Sequence, residues 1–218
     1  MKIQPQEKIL LLGASRGLGL AVHSLLKKHS EGPELYSFSR KMGGMDFSKR
    51  ELWEQHCENL WSNSPRRLIY FAGGGPYGTF DDFSWKDHGW ALNVSFTFPA
   101  FLLHSALQAK KAAKKNDSSG EFLQQLIFIG SAVAENKPDP KAAMYCAAKH
   151  ALRGLVSTIQ MEQPKLDLRL FSPGYMDTAM LPPQAWPRQK GLAQKVDDVA
   201  ADLINFMTHP APKFDSLD

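Results

Sequence analysis

Short apolar runs and longer amphipathic stretches alternate along this chain. The runs fall at residues 8–12, 35–39, 45–47, 67–72, 125–130 and 166–171, and each is too short for a stable helix. Between them, apolar residues recur at helical spacing over 17–29, 49–61, 84–113, 141–162 and 196–207. Strand-type runs alternating with helix-type stretches predict an α/β fold, a parallel sheet covered by helices on both faces. No internal repeat or low-complexity tract interrupts the order. The proline-dense stretch 181–188, Leu-Pro-Pro-Gln-Ala-Trp-Pro-Arg, reads as an irregular excursion before the last helix and not as a linker.

Composition narrows this picture. At 218 residues and 24.4 kDa, with 43% hydrophobic and 22% charged residues, the chain has the make-up of a soluble globular protein, which excludes disordered, collagen-like and membrane classes. One domain over residues 1–218 is expected, since a chain of this mass can bury about 70% of its unfolded surface in one core. Cys57 and Cys146 stand far apart without metal-ligand spacing, so neither a disulfide framework nor a metal site is expected, and a reducing cytoplasm is the simplest setting. The net charge of +4 peaks at Lys110, Lys111, Lys114 and Lys115, a pattern that reads as a solvated helix end. No base-stacking aromatics interleave with it, so nucleic acid is not an expected partner, whereas an anionic cofactor suits the charge. The apolar run 9–12 is too short for a signal peptide or a membrane span, and no membrane partner is expected.

Chemistry enters at the end of the first strand. The run 8–12 leads into Gly13-Ala14-Ser15-Arg16-Gly17-Leu18-Gly19 and then a helix. Glycines there let the backbone turn sharply and approach a pyrophosphate, while free helix N–H groups and the helix dipole favour its charge. Arg16 lies inside this turn, Arg40 follows the second strand, and Ser39 stands where a carboxylate would repel a 2′-phosphate. Two guanidiniums and no acid favour NADP(H) over NAD(H).

A second constellation lies downstream. Tyr145 and Lys149 are four apart on a predicted helix and share one face. An ammonium about 4 Å from a phenol, at an effective dielectric near 20, favours the phenolate by about 4 kcal/mol, roughly three pKa units before desolvation opposes it. Ser131 follows an apolar strand, at the carboxyl end where open α/β sheets bind ligands. Asn93 sits inside a helical stretch, where a moderate helix former often has a polar task. Pro173-Gly174 breaks the chain after the last strand.

In combination and order, these residues resemble the short-chain dehydrogenase/reductase family over roughly residues 8–207. The glycine turn is similar to the family's TGxxxGxG, Ala72-Gly73 to the end of its NAG motif, and Pro173-Gly174 with Thr178 to its PGxxxT segment. The resemblance implies a Rossmann-type doubly wound parallel sheet of about six strands, and a carbonyl or secondary alcohol as substrate. It makes Ser131, Tyr145, Lys149 and Asn93 the catalytic set: Tyr145 gives the proton, Ser131 orients the carbonyl oxygen, Lys149 lowers the phenol's pKa and holds the nicotinamide ribose, and Asn93 supports a water-linked proton path. The implied cofactor contacts are Gly13, Ser15, Arg16, Gly17, Leu18, Gly19, Ser39, Arg40, Asp46, Phe47, Ala72, Gly73, Gly74, Asn93, Tyr145, Lys149, Pro173, Gly174, Met176 and Thr178.

The chain also departs from the family pattern. Leu12 replaces the Thr before the glycine turn, Phe71 replaces the Asn of NAG, and only 41–44 separates the second run from the third, with no room for a helix. The irregular tail 209–218 shows no seventh strand, which argues against a tetramer and leaves a homodimer through helices 84–113 and 141–162. Residues 179–195 fall where relatives place a substrate lid, with Trp186 either anchoring it or touching substrate. Tyr77, Phe80, Met144 and Tyr175 are candidate pocket residues, and no charged cluster selects a substrate charge. Two other readings share the fold: a cofactor-binding regulator, which would not need a tuned phenol, and a sugar epimerase or dehydratase, whose relatives carry a larger carboxyl-terminal domain.

Overall fold

The strands form where branched and aromatic side chains alternate between two buried faces. In the computed structural model, which describes residues 2–28, 32–115, 122–135 and 138–210, five parallel strands make one sheet: β1 (Lys8–Leu12), β2 (Glu34–Phe38), β3 (Arg67–Tyr70), β4 (Gln125–Ile129) and β5 (Asp167–Phe171), in the order β2-β1-β3-β4-β5. Leu10, Leu12, Leu68, Tyr70, Leu126 and Phe128 face one helical layer, and their neighbours Ile9, Leu11, Ile69, Ile127 and Ile129 face the other. The first layer is α2 (Trp53–Ser62), α4 (Phe98–Lys115) and α6 (Ala143–Glu162); the second is α1 (Gly17–Lys27) and α8 (Val196–Thr208).

The expected third strand at 45–47 is not a strand. Met45 and Phe47 are buried because they plug the first core, where Phe47 stacks on Phe98 at 4.8 Å and its carbonyl accepts the Trp53 indole N–H at 3.0 Å. The backbone before them is spent on a tight turn, in which Ser39 and Met42 exchange amide bonds and the Met45 amide returns to the Ser39 carbonyl. The sheet therefore has five strands and not six.

The expected helix 84–113 is interrupted. α3 (Trp85–Leu92), started by a capping box between Ser84 and Asp87, passes into a π-helical turn at Asn93–Thr97 before α4. The run Trp85–Lys115 is long and apolar enough to cross a membrane by length and composition, yet its apolar residues Phe98, Leu102, Leu103 and Ala106 lie in the first core. Two short helices complete the fold, α5 (Ala132–Glu135) and α7 (Trp186–Gln189). Of the expected tail, residues 211–218 lie outside those described.

At the amino-terminal edge of the sheet, buried Arg67 donates to Glu7, to Gln125 and to the Lys2 carbonyl, and Gln125 donates to Asp167 and to the Met207 carbonyl of α8. Arg169 reaches the Phe206 and His209 carbonyls. This polar seam closes the end of α8 with cations, which suits the helix dipole. The opposite edge is left open. There the chain leaves β1 toward β2 on one side and returns to β3 on the other, the switch point where such sheets bind ligands.

Candidate active site

The carboxyl ends of β1, β3, β4 and β5 border a cavity of about 610 Å³. Its floor is the glycine turn. Gly13 takes φ +91°, and a Cβ there would stand 2.6 Å from the Ala72 nitrogen, so only glycine lets the two strand ends meet. Gly17 takes φ +54° as α1 starts. No side chain caps α1 and no acid occupies its first turn, which leaves an anion-favouring helix end at the cavity.

The two departures from the family motif are absorbed by packing and backbone bonds. Leu12 is fully buried in the first core, and its carbonyl accepts the Phe71 amide at 2.7 Å. The Gly13 amide donates to the Phe38 carbonyl at 2.7 Å, and the Phe71 ring packs in the second core beside Gly19.

Arg16 and Arg40 are exposed and line the same cavity, joined by Lys41, which the sequence reading passed over. The Ser39 hydroxyl oxygen is taken by the Lys41 and Met42 amides at 3.2 and 3.1 Å, so it shapes the turn that presents both cations. Burial works against the Asp46 carboxylate, but the Ser48 hydroxyl and amide, with Arg40 and Lys49 nearby, hold its pKa below the usual value.

On the other wall, Ser131 follows β4 and faces the Tyr145 hydroxyl on α6 across the same cavity. Burial pushes the Tyr145 phenol up to about 12, against the opposing influence of the Ser131 hydroxyl. Lys149, 3% exposed, donates from Nζ to the Ile129 carbonyl at 2.7 Å and lies 5.5 Å from the Tyr145 ring centroid. Burial lowers its pKa to about 8. The expected lowering of the phenol by the ammonium is therefore outweighed by desolvation of both groups.

Nearly every predicted contact lines this cavity: Gly13, Ser15, Arg16, Gly17, Leu18, Gly19, Ser39, Arg40, Asp46, Phe47, Ala72, Gly73, Ser131, Tyr145, Lys149, Pro173, Gly174, Met176 and Thr178. Gly74 and Asn93 do not. The Asn93 side chain turns away and donates to the Ser48 carbonyl at 3.5 Å. Instead, fully buried Ser95 of the π turn accepts the Gly74 amide and donates to the Gly74 carbonyl, both at 3.0 Å. The sequence offered a signal for it only in the helix break, which an unbroken apolar period conceals.

Of the four candidate pocket residues, Tyr77 and Tyr175 line the cavity and Phe80 and Met144 do not. Both tyrosines point to Asp139, a buried carboxylate at the cavity wall that the sequence reading did not single out. In the segment 179–195, Trp186 packs edge-on against Tyr175 at 5.5 Å outside the lining. Arg188 ties the segment down, bonding to Asp177 and to the Thr178 and Leu181 carbonyls.

Known proteins resemble this chain in sequence and in fold. A family model described as short chain dehydrogenase matches residues 44–187. A sepiapterin reductase of Chlorobaculum tepidum is 27% identical over 150 residues, covering 66% of this chain and 56% of that protein. The chain spans 56 to 61% of the length of the curated relatives it matches. Among solved structures, a short chain dehydrogenase from Burkholderia cenocepacia in complex with NADP aligns at a TM-score of 0.71 and 20% identity, over 96% of this chain and 93% of that one. A 3-oxoacyl-(acyl-carrier protein) reductase from Brucella melitensis in complex with NAD aligns at 0.75 and 19%, over 93% and 90%. At these identities the structural likeness establishes the fold.

Proposed function

The chain belongs to the short chain dehydrogenase family, and from that premise we propose that it is an NADP(H)-dependent oxidoreductase that interconverts a carbonyl compound and its secondary alcohol. The observation that carries this reading is the convergence of Ser131, Tyr145 and Lys149 on one wall of a cavity whose floor is an anion-favouring glycine turn. The residues present fit a dinucleotide: Gly13 leaves open the space a Cβ would fill, and the start of α1 is uncapped. The glycine turn and α1 would hold the pyrophosphate, Arg16 and Arg40 a 2′-phosphate, Asp46 the adenine end and Lys149 the nicotinamide ribose. When bound, that cofactor supplies the hydride.

The chain's own residues supply the proton and the orientation. With its pKa near 12, Tyr145 keeps its hydroxyl proton at neutral pH and can give it from Oη to the carbonyl oxygen of a substrate in the cavity. Ser131 Oγ, beside the same phenol, can turn a proton toward that oxygen and stabilise the charge that develops there. Once the proton has left, the Lys149 ammonium beside the ring stabilises the phenolate. Burial of Lys149, Ser131 and Ile129 keeps water from competing for these bonds.

Tyr145→Phe tests the reading. Turnover of aldehydes or ketones with NADPH is expected to fall at least about a thousandfold, within the range of a lost general acid and its electrostatic partner, while NADPH affinity measured by fluorescence titration changes less than about threefold. Retained turnover removes Tyr145 from the chemistry.

A further inference from the structure

The cavity is electrically lopsided. Arg16, Arg40 and Lys41, with the single carboxylate Asp46 among them, border it on the side of the glycine turn, whereas Asp139 borders it with Tyr77 and Tyr175, and the one cation of the wall of Ser131 and Tyr145 is Lys149, committed to the Ile129 carbonyl. Asp139 is 3% exposed, and among the described residues no cation pairs with it. Its Oδ2 accepts the Tyr175 hydroxyl at 2.9 Å and the Tyr77 hydroxyl at 3.4 Å, and its Oδ1 accepts the Lys141 amide at 3.0 Å. These three donors meet the needs of the buried carboxylate without a counter-ion.

Each phenol has a single proton, and both are committed to the carboxylate. Toward the cavity the two hydroxyls therefore offer lone pairs and no donor. Burial and the carboxylate raise both phenols above the usual tyrosine range, so neither becomes a second anion at neutral pH. Both tyrosines line the cavity, Tyr175 packed at a steep angle against Trp186, and an aromatic ring there attracts a cation through its quadrupole. A carboxylate or phosphate brought here would find no donor and would face a negative charge in a low dielectric.

We infer that Asp139, Tyr77 and Tyr175 form a specificity element that selects carbonyl substrates bearing a protonated or N–H-donating nitrogen remote from the reacting carbon, and that rejects substrates with an anionic group there. The inference rests on the oxidoreductase reading for the position of the carbonyl, beside Ser131 and Tyr145. It departs from the expectation that no charged cluster selects a substrate charge. Asp139 is separated in sequence from Tyr77 by 62 residues and from Tyr175 by 36, so only the fold assembles the element.

Three para-substituted benzaldehydes with the same reacting carbonyl test it: 4-(dimethylaminomethyl)benzaldehyde, which is cationic, methyl 4-formylbenzoate, which is neutral, and 4-formylbenzoate, which is anionic. Two readouts are taken at pH 7, kcat/KM with NADPH and the dissociation constant from the NADP⁺-loaded protein by tryptophan quenching, which needs no turnover. The expected order in both is cation, neutral, anion, with at least about tenfold between the ends, the ratio that 1.4 kcal/mol produces. Asp139→Asn is expected to bring the ends within about threefold. Tyr175→Phe, which keeps the carboxylate, is expected to shrink the cation's advantage over the neutral aldehyde, and it carries the test if the Asn variant does not fold.

An anion bound as well as the cation, an order that survives both substitutions, or no binding of any of the three at millimolar concentration overturns the inference. A charge order in binding without any turnover supports it while overturning the oxidoreductase reading. Turnover without a charge order does the reverse.

Discussion

Lys149 shows at the residue scale how a spacing argument and a folded environment divide. The interval between Tyr145 and Lys149 puts a cation on the phenol's face of α6, and the structure keeps it there, 5.5 Å from the ring centroid. What the interval does not carry is the cost of burying both groups, which raises the phenol to about 12 and lowers the lysine to about 8. An ammonium that titrates near 8 in the folded chain and near its ordinary 10.5 in the unfolded one destabilises the fold in full below about pH 8. The penalty fades as pH rises from 8 through 10.5, because over that window the unfolded chain binds the extra proton. At about 1.4 kcal/mol per pKa unit it amounts to about 3 kcal/mol at pH 7. Lys149→Met is therefore expected to raise stability at pH 7 by up to about 3 kcal/mol, less the cost of leaving the Ile129 carbonyl unpaired, while removing turnover. Urea unfolding at pH 7 and near pH 10 checks this. A gain that is the same at both pH values means that the buried ammonium is not the source.

Among the elements, those with a strong local period were legible. The expected strands at 8–12, 35–39, 67–72, 125–130 and 166–171 agree with β1 to β5 within one or two residues, because each carries apolar side chains to both faces of a buried sheet. The run 45–47 was misread because Met45 and Phe47 are apolar for packing alone, and their preceding backbone is closed into the Ser39 turn. The interruption at Asn93–Thr97 was invisible because a π turn adds a residue without disturbing the apolar stripe that continues from Phe98. Its cause is tertiary: the Tyr70 hydroxyl takes the Val94 carbonyl at 2.7 Å, and Ser95 clasps the Gly74 backbone on both sides. Gly73 next to it stands against Lys149, whose Nζ lies 3.2 Å from where a Gly73 Cβ would be. Ser95 thus fixes the backbone that stands against Lys149. Ser95→Ala leaves two buried backbone groups unpaired, a loss of about 1–3 kcal/mol, and is expected to lower kcat about tenfold and to move the alkaline limb of the pH–rate profile. Asn93→Ala, which removes one long bond to the Ser48 carbonyl, is expected to cost less on both measures. The reverse ranking returns the role to Asn93.

At the scale of the whole molecule, what the sequence disclosed is what lies close together along the chain. The glycine turn, the helical tyrosine and lysine, and the serine after a strand are each local patterns, and the sheet order brings them to one edge. Asp139 with its two tyrosines, Ser95 with Gly74, and Lys41 beside Arg40 depend on distant segments meeting or on how a turn points its side chains. The charge divided across the cavity also appears only in three dimensions, since a net charge of +4 says nothing of where the cations stand. Arg40 and Lys41 lie on one turn held by the Ser39 hydroxyl, so they face a bound dinucleotide together but with different chemistry. A guanidinium holds a phosphate through paired bonds of fixed geometry, whereas an ammonium acts as a point charge that salt screens. Arg40→Asp is therefore expected to weaken NADPH about thirtyfold or more and NADH less than about threefold. Lys41→Glu is expected to weaken NADPH by a smaller factor that shrinks further as salt rises. Fluorescence titration of each variant with both cofactors, at low and at physiological ionic strength, measures all of these. Equal losses for NADPH and NADH in Arg40→Asp would place the 2′-phosphate away from this turn, and would leave Arg16 as the guanidinium at the cavity able to take it.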